Sequence, residues 1–307
     1  MQNWQSYSRK TNPFFFAFNY ITLILFAICG LSACSEDDLN DRSIFEGTAI
    51  QRAEFDNWLL NNYVYPYNVD FKYRLEDHES DQKYNLVPAE FRKSVAIAKL
   101  VKFLWIDAYI EVMNNDREFI CTYGPKMIHL IGSPAYEEGQ IVLGTAEGGL
   151  KVTLYNVNAL NPDNPDIEVL NFWYFKTMHH EFAHILHQTI EFPQEFYEIS
   201  TGKYTGGSWV NYTDKQALER GFITAYASNE VHEDFAETIA NFVTHDEAWW
   251  NEQIETAGDG AAYIEQKLEL ARIYMAETWN IDLDSLRDIV QRRSSEIMNL
   301  DLVNLND

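Results

Sequence analysis

The chain has 307 residues and carries 47 Asp and Glu side chains against 23 Lys and Arg, for a formal net charge of −24. A charge of this sign repels nucleic acid and anionic membrane surfaces, which excludes nucleic acid as a predicted partner and favours solubility. The length suffices for one large domain with an extensive core.

Residues 1–33 have the pattern of a secretory signal. Arg9 and Lys10 precede an apolar run at 14–28, which is too short and too poorly flanked for a stable membrane span. The following Leu31-Ser32-Ala33-Cys34 resembles a bacterial lipobox, and this implies that Cys34 is lipidated and becomes the first mature residue. Acyl chains there would anchor the protein to a membrane. The alternative is an anchor helix that is retained.

The segment after Cys34 begins with Ser35-Glu36-Asp37-Asp38. These acids resemble the surface-export signal of Bacteroidota lipoproteins; without that resemblance they are a solvated tether. We therefore predict a signal peptide at 1–33, an acidic tether at 34–48 and one domain at 49–307.

The mature part holds 21 Lys and Arg against 47 Asp and Glu, a net charge of −26.

Cys121 is the one cysteine left once the signal is removed and Cys34 is lipidated. No internal disulfide is then expected, despite an oxidising destination. Its strand-like surroundings predict a small core residue.

Hydrophobic periodicity places helices on both sides of a small group of strands. The first half of the mature domain is predicted to contain a helix at 49–62, an extended aromatic segment at 63–74, an amphipathic helix at 88–113 and strands at 117–122, 126–132, 140–145 and 150–157. A loop at 161–165 follows, and then a buried helix within 171–192, a Gly- and Tyr-rich loop at 201–212 and a helix after Asn229. Helices near 260–279 and 283–299 complete the domain, and Asp282 begins the last of them.

The buried helix contains His180-Glu181-Phe182-Ala183-His184, an H-E-x-x-H motif. Residues four apart lie on the same helical face. Two imidazoles at this spacing can bind one Zn²⁺, and the glutamate between them can act as general base. The motif is short, but its flanks are apolar, so the histidines are expected to be buried and to need partners. The alternative is a helix with surface histidines.

The third ligand must come from another segment. A third histidine six residues after the second defines one zincin class, but Ile190 occupies that position here. His187 shares the helical face, yet it lies ~10 Å along the axis from His180. One ion cannot easily bridge three turns with bonds of ~2.0–2.1 Å. His187 is therefore predicted to support a ligand or to pack in the core.

A second amphipathic helix carries acidic residues one turn apart, Glu233 and Glu237. Asn229 is predicted as its N-cap, and Val231, Phe235, Ile239 and Phe242 form its apolar stripe. The segment resembles the second metal helix of glutamate-zincins, most closely of the lethal-factor type. This resemblance implies that Glu233 is the third ligand, that Glu237 orients an imidazole and that Tyr226 stabilises an oxyanion. Asp234 and His232 remain competing ligands, and a solvated acidic face is the simpler alternative.

These roles predict peptide hydrolysis with Glu181 as the base. Substrates of such enzymes usually pair with an edge strand. The alternating segment 149–157 is the candidate, and an interior strand is its alternative. The order of elements predicts an α+β, zincin-like fold: a small mixed sheet, the H-E-x-x-H helix, a glutamate-bearing metal helix and a helical C-terminal part.

The mature chain as a whole resembles the zinc metallopeptidase lipoproteins of Bacteroidota that are associated with outer-membrane nutrient import. The resemblance rests on the lipobox, 55–61, 66–69, Tyr73-Arg74, His180 to Gln188 and Glu233 to Glu237. It implies a Zn²⁺-dependent hydrolase of peptides or proteins, anchored at the outer membrane on the cell surface or periplasmic face beside an importer. A zinc-containing binding lipoprotein without turnover, and hydrolysis of a non-peptide amide or a glycan-linked peptide, are the competing hypotheses.

Overall fold

The computed structural model of the protein describes residues 52–76, 80, 83–137, 140–142, 144–147 and 150–305. The predicted signal peptide, the lipidation site Cys34 and the acidic tether lie outside these residues. Within the described part, no helix is both long enough and apolar enough to cross a membrane.

A four-stranded sheet has the order β1 (Asp70–Lys72), β2 (Met127–Leu130), β6 (Lys151–Leu154) and β5 (Gly144–Glu147), and forms one layer of the fold. The first three of these strands run parallel, and β5 runs antiparallel to β6. All four residues of β6 are buried, whereas β5 lies at an edge of the sheet. A separate hairpin pairs β3 (Ala135–Glu137) with β4 (Gln140–Val142).

Helices make up most of the remaining described chain, which gives the predicted α+β class with a helical C-terminal part. They are α1 (Glu54–Leu59), α2 (Tyr65–Tyr67), α3 (Phe91–Val101), α4 (Asp107–Val112), α5 (Glu118–Tyr123), α6 (Ile167–Leu170), α7 (Lys176–Thr189), α8 (Gln194–Ile199), α9 (Asp214–Glu219), α10 (Val231–Thr244), α11 (Glu247–Ala257), α12 (Ala261–Trp279) and α13 (Leu283–Glu296).

Three π-helical segments join neighbouring helices without a break. Leu60–Val64 joins α1 to α2, Lys102–Ile106 joins α3 to α4, and Asn171–Phe175 joins α6 to α7. A π-helical turn holds an extra residue and shifts the side chains that follow it around the helix axis. The third segment is anchored, because Asn171 Nδ2 donates to the Thr244 carbonyl at 2.9 Å. This hydrogen bond ties the entry of the motif helix α7 to the last residue of Val231–Thr244.

The helix α7 lies in the core between two groups of aromatic side chains. On one side, the Phe182 ring packs edge-on against Trp105 and Tyr109, with centroids 5.2 and 4.9 Å apart. On the other side lies α10, whose predicted stripe includes the buried Phe235, Ile239 and Phe242. Close packing of this kind restricts both helices to one relative position.

A buried ion pair holds α10 against α12. Lys267 Nζ lies 2.6 Å from Asp234 Oδ2, and both side chains are buried. Tyr204 donates a hydrogen bond to the same oxygen, and Lys267 donates to the Gly221 carbonyl. Burial raises the pKa of Asp234 to about 6, against the opposing effect of Lys267. Such a pair adds little net stability but fixes the geometry, because an unpaired partner would be costly.

The helices predicted near 260–279 and 283–299 are confirmed as α12 and α13, and Asp282 accepts a hydrogen bond from the Ser285 amide at the start of α13. The long helix predicted at 88–113 is confirmed from Phe91 to Val112. The helix predicted at 49–62 is observed from Glu54, and it continues to Tyr67. The extended segment predicted from 63 was therefore wrong over its first five residues. Its aromatic residues favour strands locally, but burial of Tyr63 and its hydrogen bond to the Ala98 carbonyl override that preference.

Residues 118–122 of the strand predicted at 117–122 are helical rather than extended, since they fall in α5. Asp116 Oδ1 accepts a hydrogen bond from the Glu118 amide and so favours the helix start. Cys121 is free and half-buried, and its Sγ donates a hydrogen bond to the Pro66 carbonyl. It packs against the core from its edge rather than within it as predicted. Asn229 is not the N-cap of α10: Glu230 occupies that position, and its side chain makes no capping hydrogen bond.

The assignment of 149–157 as the edge strand that pairs with a substrate was wrong as well, because β6 lies in the interior of the sheet between β2 and β5.

Candidate metal centre

Two helices bring three donor atoms together. His180 and His184 project from one face of α7, with their Nε2 atoms 3.1 Å apart. Glu233, in the first turn of α10, places Oε2 3.0 Å from His180 Nε2 and 3.3 Å from His184 Nε2. Tetrahedral ligands at ~2.0–2.2 Å from zinc lie roughly 3.3–3.5 Å apart. The donor set and its spacing therefore fit a zinc ion.

Glu237 orients His180 from the side opposite the donor set. Its Oε1 lies 3.0 Å from His180 Nδ1. Its Oε2 accepts hydrogen bonds from Thr224 at 2.7 Å and Asn241 at 3.2 Å, and lies 3.4 Å from Lys176 Nζ. A carboxylate bonded this fully cannot rotate freely, so the imidazole keeps Nε2 directed towards Glu233.

His187 contacts His184 but does not join the donor set. Its Nε2 lies 2.8 Å from His184 Nδ1, which leaves His184 Nε2 free to face His180 and Glu233. The structure thus places His187 beside a candidate ligand, where the spacing predicted it.

The two competing ligands point elsewhere. The Asp234 carboxylate faces Lys267 and Tyr204. His232 Nε2 lies 3.1 Å from the Tyr197 hydroxyl, and its Nδ1 lies 3.5 Å from Glu230. Neither residue belongs to the group formed by His180, His184 and Glu233.

Two carboxylates, the buried Glu237 and the partly buried Glu233, make the centre electronegative. Burial lowers the pKa of His180, but hydrogen bonds with Glu233 and Glu237 outweigh it and raise that pKa to about 10. Burial raises the pKa of Glu233, but the opposing effect of His180 and His184 is larger. The pKa of Glu233 therefore lies well below its usual range. Burial also raises the pKa of Glu237, but Lys176 and His180 outweigh it and hold that pKa below its usual range. Both carboxylates are therefore ionised in this environment, which favours a bound cation.

Glu181 and Tyr226 lie close to the same group. Burial raises the pKa of the Glu181 carboxyl, while the charges of His180 and His184 oppose that shift. The Tyr226 ring centroid is 5.9 Å from that of His180 and 5.0 Å from that of Trp209. Burial, together with a hydrogen bond to Glu233, raises the pKa of Tyr226 far above its ordinary value. The phenol therefore stays protonated and can donate.

The residues that hold Glu237 were not predicted from the sequence. Lys176 lies four residues before His180, and Asn241 lies four residues after Glu237. Helical spacing could therefore have indicated both as neighbours of the site. Thr224 lies between helices, where no periodic pattern is available.

A mixed α+β fold and a centre of two histidines and one glutamate are typical of zinc metallopeptidases. The sequence pattern of the family described as putative zinc-binding metallo-peptidase matches residues 48–284. A crystal structure of a putative zinc-binding metallo-peptidase from Bacteroides caccae ATCC 43185 is 48% identical in sequence, with a TM-score of 0.73; the match covers 86% of this chain and 100% of that one. No curated protein sequence matches the chain. The chain belongs to the family of putative zinc-binding metallo-peptidases.

The position of Glu233 predicts how the two glutamates of α10 differ in their effect on metal affinity. Glu233→Ala removes a donor atom and should abolish tight zinc binding. Glu237→Ala leaves the donors in place and should weaken binding by ~10–100-fold. Competition of the purified full chain against a fluorescent chelator measures both affinities. The reverse ranking would show that the wrong glutamate is assigned as ligand.

Proposed function

We propose that the protein is a zinc-dependent peptidase with His180, His184 and Glu233 as ligands and Glu181 as general base. The observation that carries this proposal is the convergence of three donor atoms within 3.3 Å of one another beside the partly buried Glu181. Three protein ligands leave one zinc position for chemistry, whereas structural zinc sites usually have four. This count favours turnover over the alternative of a zinc-containing binding lipoprotein.

A zinc ion held by His180, His184 and Glu233 would lower the pKa of a water molecule and polarise the carbonyl group to be cleaved. Glu181 takes the proton from the attacking water and later delivers it to the leaving amine. Tyr226 donates a hydrogen bond to the oxygen on which charge develops. Glu237 and His187 hold the two imidazoles in place through their Nδ1 atoms.

An extended peptide would bind along β5. This strand lies at the edge of the described sheet and contacts α7. Its backbone groups on the open side can pair with a substrate strand, as edge strands do in other peptide complexes. Pairing through the backbone suits peptides better than other amides, and this favours proteolysis over the non-peptide alternative.

The proposed location is the outer membrane, with Cys34 lipidated and the domain at the cell surface or periplasmic face. The support is the lipobox-like Leu31-Ser32-Ala33-Cys34 and the acidic segment after it. A peptidase held there beside an importer would supply it with peptides.

Glu181→Gln keeps the size of the side chain and removes the proton acceptor. We expect zinc content to be unchanged and peptide cleavage to fall by ~10²–10⁴-fold. Mass spectrometry of a peptide library, incubated with the purified full chain with and without a chelator, measures cleavage. Glu198→Gln, at an exposed position, is the matched control. Turnover at the wild-type rate in Glu181→Gln would mean that another group is the base.

Tyr226→Phe tests the oxyanion role. Because the phenol is needed most when charge develops, turnover should fall by ~10²–10³-fold while KM and zinc content stay near wild type. Tyr212→Phe is the control, since Tyr212 packs against Arg220 rather than His180. If Tyr226→Phe reacts within a few-fold of the wild-type rate, Tyr226 only packs beside the site.

Cys34→Ala tests the membrane anchor. Loss of the acylated thiol should move the protein from the membrane fraction to the soluble fraction of lysed cells, because the mature domain then has no acyl chain to insert. Cys121→Ala should leave fractionation unchanged. Persistent tight membrane association of Cys34→Ala would favour a retained anchor helix at 14–28.

A further inference from the structure

Trp209 lies one side chain away from the candidate metal centre. Its ring packs edge-on against that of Tyr226, with centroids 5.0 Å apart and an angle of 75° between the planes. The Tyr226 ring in turn lies 5.9 Å from that of His180, and its hydroxyl is hydrogen-bonded to Glu233. An extended peptide advances ~3.3 Å per residue. A peptide held at the donor set would therefore reach the indole within about three residues of the cleaved bond.

Backbone hydrogen bonds hold the segment that carries Trp209. This segment is the short 3₁₀ helix Gly206–Asn211, which contains no fully buried residue. Just before it, the Thr205 amide donates to the Ser228 carbonyl at 2.8 Å, and the next amide donates to the next carbonyl at 3.0 Å. These bonds tie the segment to the turn that begins at Tyr226. The place of Trp209 beside the centre therefore does not depend on full burial of its indole.

The surface around Trp209 is apolar and partly open. One part of the Trp209 side chain packs against the edge of the core, and the rest is accessible. The next residue, Val210, is 45% exposed. An indole offers a large rigid surface, which stacks with aromatic rings and covers aliphatic side chains. The pair thus presents an apolar surface at the side of a centre that is otherwise formed by polar groups.

We propose that Trp209 forms the wall of a substrate subsite that binds a large apolar side chain of the peptide. The subsite rests on the proposed peptidase function and adds a selection rule to it. A small side chain would leave the indole exposed to water, whereas an aromatic or branched aliphatic side chain would cover it. A lysine or arginine could also stack on the indole, but it would lose part of its hydration against Val210.

A purely structural role of Trp209 makes a different kinetic prediction. If the indole only holds Tyr226 in place, its removal weakens stabilisation of the transition state for every peptide, and kcat falls by the same factor for all of them. If the indole lines a subsite, its removal affects only peptides whose side chain contacts it. Comparison of matched peptides therefore separates the two roles.

Cleavage profiles of a peptide library test the subsite. In the purified, zinc-loaded full chain we expect enrichment of Phe, Tyr, Trp or Leu at one position within about three residues of the cleaved bond. In Trp209→Ala, kcat/KM for peptides with such a residue should fall by ~10–100-fold, and that for peptides with Ala there should change by less than about threefold. Zinc affinity should match the wild type, since the donor atoms are untouched.

Trp249→Ala is the matched control. It removes another partly exposed indole, which stacks on His245 beyond the end of α10 that lies away from Glu233. We expect it to keep the wild-type cleavage profile.

Binding of peptide hydroxamates measures the same preference without turnover. Two pairs of these zinc-chelating compounds are used, one pair for each side of the cleaved bond, and the members of a pair carry a benzyl or a methyl side chain. Calorimetry with the zinc-loaded chain should show that the benzyl member of one pair binds ~10-fold more tightly than the methyl member. Trp209→Ala should remove this difference.

An equal fall in kcat for all peptides in Trp209→Ala would overturn the subsite and leave Trp209 as a support for Tyr226. Enrichment of Lys or Arg in place of apolar residues, or cleavage and hydroxamate binding without any preference that depends on Trp209, would also overturn it. A Trp209-dependent preference among the hydroxamates, with no peptide cleaved, would refute the proposed turnover and leave the subsite standing.

Discussion

The packing of α7 against α10 is the constraint on which the rest of the structure depends. Three donor atoms from two helices must meet within 3.3 Å, and a shift of one residue along either helix would separate them by ~1.5 Å. The stacked rings of Phe192 and Phe235, 4.2 Å apart, and the core around Phe182 prevent that shift. The sheet, the π-helical entry to α7 and the helices beyond Ala261 all support this one interface.

The same interface has to hold carboxylates where water is scarce. Glu237 is tolerated because Lys176, Thr224 and Asn241 surround it and His180 shares its charge. Each of these contacts also restricts the His180 ring. The groups that offset the cost of burying the Glu237 charge therefore also determine the orientation of the His180 ring.

Much of the site follows from periodicity, and the remainder depends on partners distant in sequence. Spacing on one helix placed His180, His184 and Glu181 together and set His187 apart, because helical rise and rotation are fixed. No local pattern separates Glu233 from Asp234, since the deciding partner of Asp234 is Lys267 on another helix. Residues 117–122 were mistaken for a strand because short apolar runs suit both states. The edge position of β5 depends on strand order, which the sequence does not state.

Adjacent acids in α10 face different directions, and this has a consequence for metal specificity. Neighbouring residues on a helix project roughly 100° apart, so Glu233 reaches the donor set while Asp234 is held by Lys267 and Tyr204. Asp234 therefore adds no oxygen to the donor set, which consists of two imidazole nitrogens and one carboxylate oxygen. A set of this composition suits a borderline ion such as Zn²⁺ better than hard, oxygen-preferring ions such as Ca²⁺ and Mn²⁺. Lys267, by pairing with Asp234, helps to keep a second carboxylate out of that set.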